Sequence, residues 1–412
     1  MINRVVVTSV GIISPIGLTS EITWSNLIKG KSGISQITTF DTRNFETTIA
    51  AEVKNFDPIE CFGKKEARRM DRFVQLAGVA TLEAIENSGI KINPNNQNRI
   101  SVMIASGIGG IITLSEQNQV LFEKGPSRIS PFLVPMMLPD MASGQISMMI
   151  GAKGPNYSVV SACASSGDTI GLAYEAIKRD DVDVVFAGGS EAAICPIGVA
   201  GFSACKALSK SNDKPESASR PFDLNRDGFV LGEGSAILVL EKLENAINRG
   251  VKPIAEIVGY GASADAHHIT QPAPGGEGGA RAMNKAINGA SISKDEINYI
   301  NAHGTSTPLN DKFETMAMKS VFGDQAYNIS INSTKSMVGH LLGASGAIEA
   351  AVTSLSIKNS MIHPTANLEN SDPECDLDYT PSGFKNLDIN YAMSNSFGFG
   401  GHNTSLIFKK YE

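Results

Sequence analysis

The chain has 412 residues, 42% hydrophobic and 19% charged, with a formal net charge of −7. That length buries a substantial core in one large domain or two, and the acidic balance argues against a general nucleic-acid binder. The five scattered cysteines (Cys61, Cys163, Cys195, Cys205 and Cys375) form no CxxC or His/Cys cluster, so neither a disulfide framework nor a zinc site is indicated and a reducing compartment is expected.

Met1-Ile2-Asn3-Arg4 runs straight into a strand at Val5–Val10, which leaves no room for a signal peptide. No apolar run reaches the length of a membrane span. The expected location is cytoplasmic, or an organelle stroma or matrix if a transit peptide has been removed. Lys64-Lys65-Glu66-Ala67-Arg68-Arg69 has charges at i and i+4, which predicts one cationic helix face able to steer an acidic partner. Periodicity then predicts a helix over Val74–Asn87 and a strand over Ile100–Ile104. Tyr157–Val160 is rich in strand-favouring residues, and a helix follows over Thr169–Lys178. Strands are predicted at Val182–Ala187 and Ser235–Leu240.

The chain divides near Leu243–Lys252, into residues 1–250 and 251–412. Beyond it come a helix over Gly278–Asn288, strands at Tyr299–Asn301 and Ile329–Ile331, a helix over Ala347–Ile357, and a strand at Ser405–Phe408. The alternation predicts an α/β fold with sheets covered by helices. Both halves open on a strand followed by glycine, at Val5–Gly11 and Ala255–Gly261. Both close on a glycine turn leading into a strand, at Gly232–Leu238 and Gly400–Leu406. A duplicated α/β unit is the reading.

Cys163 lies in Val160–Gly167, between the apolar run and the helix, flanked by Ala and Ser. The positive end of that helix favours thiolate over thiol, and thiolate is the nucleophile. His303 stands just past a strand in Asn301–Pro308, the end at which ligands bind in open α/β folds. His340 stands among small residues in Lys335–Gly346. Glu349 is the one charge in its stretch of helix, and a buried carboxylate needs a partner; Lys335 is the candidate. Asp223, Asn225 and Asp227 imitate a calcium loop, but its last acidic position falls on Gly234, so that reading is rejected.

These segments, with Arg220–Gly234 and Asn395–Gly401, resemble the β-ketoacyl-acyl carrier protein synthases collinearly from Val5 to Phe408. The resemblance implies a thiolase fold, five-layered αβαβα from two duplicated halves, in a homodimer. A Cys-His-His set is similar to that of elongating condensing enzymes; chain-starting relatives carry Cys-His-Asn. His268-Ile269-Thr270 and Ile108 resemble the type II elongating enzymes more than type I. The implied reaction is acylation of Cys163 followed by decarboxylative condensation with malonyl-acyl carrier protein. The discrete ketosynthases of polyketide pathways share the same set. By resemblance, the backbone N–H groups of Cys163 and Phe399 form an oxyanion hole, and Phe399 is also a gate. His303 and His340 would stabilise the enolate, and Lys335, supported by Glu349, would order the site. Thr305 and Thr307 would bind the phosphopantetheine arm; Ile108, Phe202, His268 and Thr270 would also contact substrate. Lys65, Arg68, Arg69 and Lys206 would dock the acidic carrier protein. No cofactor is expected. The resemblance allows a non-catalytic structural cation near Asn301, Ala302, Glu349, Ser394 and Asn395. Leu133 stands where long-chain relatives often have phenylalanine.

Overall fold

The computed structural model describes residues 3–412. Ten strands hydrogen-bond side to side: β1 (Val5–Ile13), β2 (Ile100–Ala105), β3 (Asn156–Tyr157), β4 (Val184–Glu191), β5 (Gly234–Lys242), β6 (Ala255–Ala264), β7 (Ile297–Asn301), β8 (Ser330–Asn332), β9 (Tyr391–Gly398) and β10 (His402–Lys409). Their spatial order is β8-β7-β9-β10-β6-β1-β5-β4-β2-β3. Counted outward from the β1–β6 junction, each set of five runs first, fifth, fourth, second, third. The pairing senses also match. β5 and β10 are antiparallel to both neighbours, whereas β2, β3 and β4, like β7, β8 and β9, pair in parallel. The two sets join through a short antiparallel contact of Val5–Val7 with Ala255–Ile257.

Eight helices bear on the site: α1 (Pro58–Ala67), α2 (Arg72–Ser88), α3 (Met141–Ile150), α4 (Ser165–Lys178), α5 (Pro196–Ala204), α6 (Glu277–Ala290), α7 (Pro308–Phe322) and α8 (Ser345–Asn359). Helices α4 and α8 pack on each other and on strands of both sets, so they form the middle layer. Residues Ser345–Ile357 of α8 are buried without interruption, as expected of a helix covered on all sides. The central core around α4 and α8 includes Ile170, Ile177, Ile348 and Val352. Outside it, α2 and α3 cover one sheet through Phe73, Leu76 and Ile146. Helices α6 and α7 cover the other through Met283, Met318 and Phe322. These are the five layers of the thiolase fold.

Two expectations need correction. The Tyr157–Val160 run is not a strand: pairing stops after Tyr157, at the sheet edge, and Val160 is 54% exposed. Ser161 spends its N–H on Ser165 Oγ (2.9 Å) and its hydroxyl on Asp168 (2.6 Å), which bends the chain into a turn instead of a ladder. The basic run is not one helix face either. Gly63, at φ +73° and ψ 157°, breaks α1, Arg68 caps its end, and Arg69 lies beyond it. Arg69 pairs with Glu66 at 3.6 Å and lies over the Phe132 ring.

Candidate active site

Cys163 occupies a one-turn 3-10 segment, Ala162–Ala164, that leads directly into α4. Ala162 adopts φ +51°, a left-handed conformation costly for a residue with a Cβ, so the turn carrying the sulfur is strained. His303 follows β7, and Lys335 opens the one-turn helix Lys335–Val338 after β8. His340 sits in the loop before α8. The two parallel strands β7 and β8 and the N-terminal ends of the two central helices therefore converge on one point.

That point is a cleft of about 350 Å³ lined by Cys163, His303, His340, Phe229, Leu342 and Phe399, among others. His340 Nε2 lies 3.1 Å from Cys163 Sγ, and the imidazole centroids of His303 and His340 are 5.4 Å apart. The hydrogen-bond network sets both tautomers. Leu342 N–H donates to His340 Nδ1 (3.2 Å), with the Ser345 hydroxyl also 2.8 Å away. Lys335 Nζ donates to His303 Nδ1 (3.3 Å). An accepting Nδ1 leaves the proton of a neutral ring on Nε2. Burial and then Lys335 push both histidines well below the usual imidazole range, with His340 adding to the shift at His303, so both are neutral N–H donors.

The lysine ammonium spends its remaining protons on the His303 carbonyl (2.7 Å) and Glu349 Oε1. Burial raises the Glu349 carboxyl and Lys335 opposes that shift. Glu349 Oε2 is buried and has no protein partner. The side-chain amide of Asn301 bonds Thr334, and that of Asn395 bonds Ser405 and the Met283 sulfur. Among the described residues no cluster of three or more His, Cys, Asp or Glu side chains is placed to hold a metal. The Asn301 and Asn395 side-chain oxygens accept from Thr334 and Ser405, so the unpartnered oxygen here is Glu349 Oε2, a hard donor of the kind an oxygen-bound cation takes. Glu349 Oε2 would be the charged ligand of such a cation.

The thiolate expectation is corrected. The Cys163 thiol is pushed up to about 11, chiefly by burial; Lys335 and a hydrogen bond from the Phe399 backbone N–H oppose the rise. Helix α4, the Phe399 N–H and His340 Nε2 all favour negative charge on sulfur, but desolvation outweighs them in the free protein. His340 is thus a hydrogen-bond donor beside the nucleophile as well as a group for the second substrate.

Thr305, Thr307, Phe202, Thr270 and Lys206 line the cleft, and the Thr305 and Thr307 hydroxyls are 2.8 Å apart. Ile108 packs behind its wall, in a cluster with Phe202, Phe229 and Leu342. His268 does not line the cleft: it is exposed, and its Nδ1 accepts from the N–H groups of Thr270 (3.1 Å) and Gln271 (3.2 Å), capping the loop that places Thr270. Lys65 and Arg68 are exposed outside the cleft, and Leu133 lies on a short surface helix, Leu133–Met137.

Two buried acids on α7 escaped the sequence reading. Glu314 accepts the N–H groups of His303 and Gly304, both at 2.8 Å. Asp311 accepts from Thr305 N–H (3.0 Å) and Phe222 N–H (2.9 Å), with Arg226 alongside at 3.6 Å. Together they fix the loop carrying His303, Thr305 and Thr307. Their i, i+3 spacing on the helix face that also carries Ala317, Met318, Val321 and Phe322 was the available signal.

Residues 2–246 match the family described as Beta-ketoacyl synthase, N-terminal domain, and residues 254–369 match its C-terminal domain. The chain belongs to the β-ketoacyl synthase family. As a member it is a condensing acyltransferase. The synthase is 53% identical over 409 residues to 3-oxoacyl-[acyl-carrier-protein] synthase 2 of Staphylococcus aureus (strain COL), covering 99% of each chain. It is 50% identical to the protein of the same name from Synechocystis sp., covering 99% of this chain and 98% of that one. Its fold superposes on a β-ketoacyl synthase from Burkholderia phymatum STM815 with a TM-score of 0.93 at 36% identity, covering 100% of both chains. A type II polyketide ketosynthase complexed with its acyl-carrier protein superposes with a TM-score of 0.90 at 33% identity, again over 100% of both chains.

Proposed function

We propose that this synthase elongates acyl chains on acyl carrier protein by decarboxylative condensation with malonyl-carrier protein. The observation that carries the reading is the pair of neutral histidines with Nδ1 engaged, which leaves Nε2–H on each ring as the donor, that of His340 lying against Cys163 Sγ. In the first half-reaction Cys163 Sγ attacks the acyl thioester. The tetrahedral oxyanion is held by backbone N–H groups of Cys163 and Phe399. The carbon–sulfur bond to the carrier breaks, and the proton lost by Cys163 ends on the departing phosphopantetheine thiol, so no separate base is consumed. In the second, the malonyl carboxylate leaves as carbon dioxide and its electron pair becomes an enolate. The His303 and His340 Nε2–H groups donate to that enolate oxygen. The enolate carbon attacks the acyl-Cys163 carbonyl, the carbon–sulfur bond breaks, and the 3-oxoacyl group leaves on the carrier while the Cys163 thiolate takes a proton from solvent.

Lys335 orients His303 and carries the charge opposite Glu349. Thr305 and Thr307 suit the phosphopantetheine arm because their hydroxyls line the cleft. Lys206 at its mouth, with Lys65, Arg68 and Arg69 on the outer surface, offers positive charge to an acidic carrier on a net-negative protein. No cofactor is required in this scheme, since the electron pairs come from Cys163 sulfur in the first half-reaction and from the malonyl carbon–carboxylate bond in the second. A homodimer is supported by the free edge of β3 and the exposed apolar residues beside it, Met148, Tyr157 and Val160. Fatty-acid elongation is favoured over a polyketide role by the 53% and 50% identities to the two synthases, against 33% to the polyketide ketosynthase. The deciding experiment is intact-mass analysis after mixing with acyl-carrier protein. An acyl adduct mapped to Cys163, discharged by malonyl-carrier protein to a 3-oxoacyl product, supports the reading; absence of the adduct sinks it.

A further inference from the structure

Duplication gives the Cys163 turn a counterpart in the second half. Leu342–Ala344 forms the same 3-10 turn and leads into α8 as Ala162–Ala164 leads into α4. Leu342 adopts φ +46°, as Ala162 adopts φ +51°. Gly343 thus stands where the first half has Cys163. A Cβ on Gly343 would fall 2.2 Å from Gly107 N, so only glycine fits. Its N–H meets the carboxylate of Glu191, the last residue of β4.

Glu191 is fully buried, and no lysine or arginine pairs with it among the described residues. Its Oε2 accepts from Gly107 N–H (2.7 Å) and Gly343 N–H (3.0 Å). Its Oε1 accepts from the Ser106 hydroxyl (2.7 Å) and Ile108 N–H (3.4 Å). Four donors from two separate segments close on one carboxylate. One segment carries Ile108, in the apolar cluster that continues the cleft wall through Phe202 and Leu342. The other carries Leu342, whose N–H sets the tautomer of His340.

We propose that Glu191 is a positioning residue that clamps the Ile108 wall of the acyl cavity to the turn before α8, and so determines how well long acyl chains are accepted. This rests on the elongation reading above. With the clamp loosened, burial drives Ile108 and Phe202 to fill the channel, which obstructs a long chain more than a short one. The isosteric Glu191→Gln replaces one acceptor oxygen by an N–H₂ group that faces other donors. The test compares Cys163 acylation by butyryl- and dodecanoyl-carrier protein, using intact mass against time. Glu191→Gln should lower the long-to-short rate ratio roughly tenfold while short-chain acylation stays within about threefold of the parent. Ser106→Ala, which removes one donor to Glu191 and the acceptor of the Gly109 N–H, guards against a Glu191 variant that does not fold; it should shift the ratio the same way by roughly threefold. A parental ratio in the folded variants, or equal loss with both acyl donors, overturns the clamp. Failure of the parent itself to acylate strikes the elongation reading instead.

Discussion

Replacing His340 and His303 separately should divide the two half-reactions unequally. Only His340 touches the nucleophile, with Nε2 3.1 Å from Sγ, whereas His303 is held by Lys335 and Glu314. A hydrogen bond to a charged group contributes about 1.5–3 kcal/mol, so losing it from the thiolate should slow acylation in His340→Ala roughly 10- to 100-fold. His303→Ala should acylate within about threefold of the parent. Each variant removes one donor from the enolate and should lose roughly 100- to 1,000-fold in malonyl decarboxylation. His340→Gln returns an N–H near the Nε2 position and should recover part of the acylation rate but not the full decarboxylation rate. Adduct mass against time and carbon dioxide release from malonyl-carrier protein give the two rates. Acylation by His340→Ala at the parental rate would refute the donor role beside sulfur, and equal acylation defects in both alanine variants would refute the division.

Cys163→Ala should form no acyl adduct, as read by intact mass. Because the free thiol lies at about 11 and both histidines titrate well below 6.5, acylation kcat/KM should climb about tenfold per pH unit from pH 6.5 to 8.5; a plateau or bell in that window contradicts it. Lys335→Met leaves Glu349 buried without its cation and should cost about 3–5 kcal/mol in urea unfolding, whereas Lys335→Met/Glu349→Gln should recover much of that loss. Burial lowers His363 from 6.5 to about 4, so its contribution is present above pH 6.5 and lost as pH falls toward 4. The stability drop between pH 7.5 and 5 should therefore be about 2 kcal/mol smaller in His363→Asn, measured by denaturant midpoints.

The parts of the site legible in the sequence were those whose residue types break their local pattern. Cys163 among small residues, two histidines in glycine loops, and Glu349 alone in an apolar helix all stand out, and the structure brings Lys335 to Glu349. Hidden parts depended on backbone donors, which leave little mark on composition. Glu191 reads as the polar end of a strand, and its partners show only as Gly107 and Gly343. Asp311 and Glu314 obscured α7, because acids that bond backbone N–H groups interrupt the apolar spacing. The Tyr157–Val160 run misled for the opposite reason: its apolar side chains sit at an exposed sheet edge, not in a ladder. The thiol could not be judged from the helix end alone, since desolvation depends on everything packed around the sulfur.

The duplication sharpens why one half is reactive and the other is not. Both turns strain a residue with positive φ and deliver the next N–H at the start of a central helix. Either could in principle hold a developing negative charge, because amides at a helix start are suited to an anion. In the second half that capacity is met internally by Glu191, and Gly107 packs too closely against Gly343 for any side chain. In the first half the equivalent space opens to the cleft, where the neutral His340 and the Phe399 N–H lie against sulfur without neutralising it. One scaffold thus carries a resident carboxyl group that holds the cavity wall and, across the middle layer, a site left free for a transient anion. Filling the second requires an acyl thioester, whose carbonyl oxygen takes up the negative charge once sulfur attacks it.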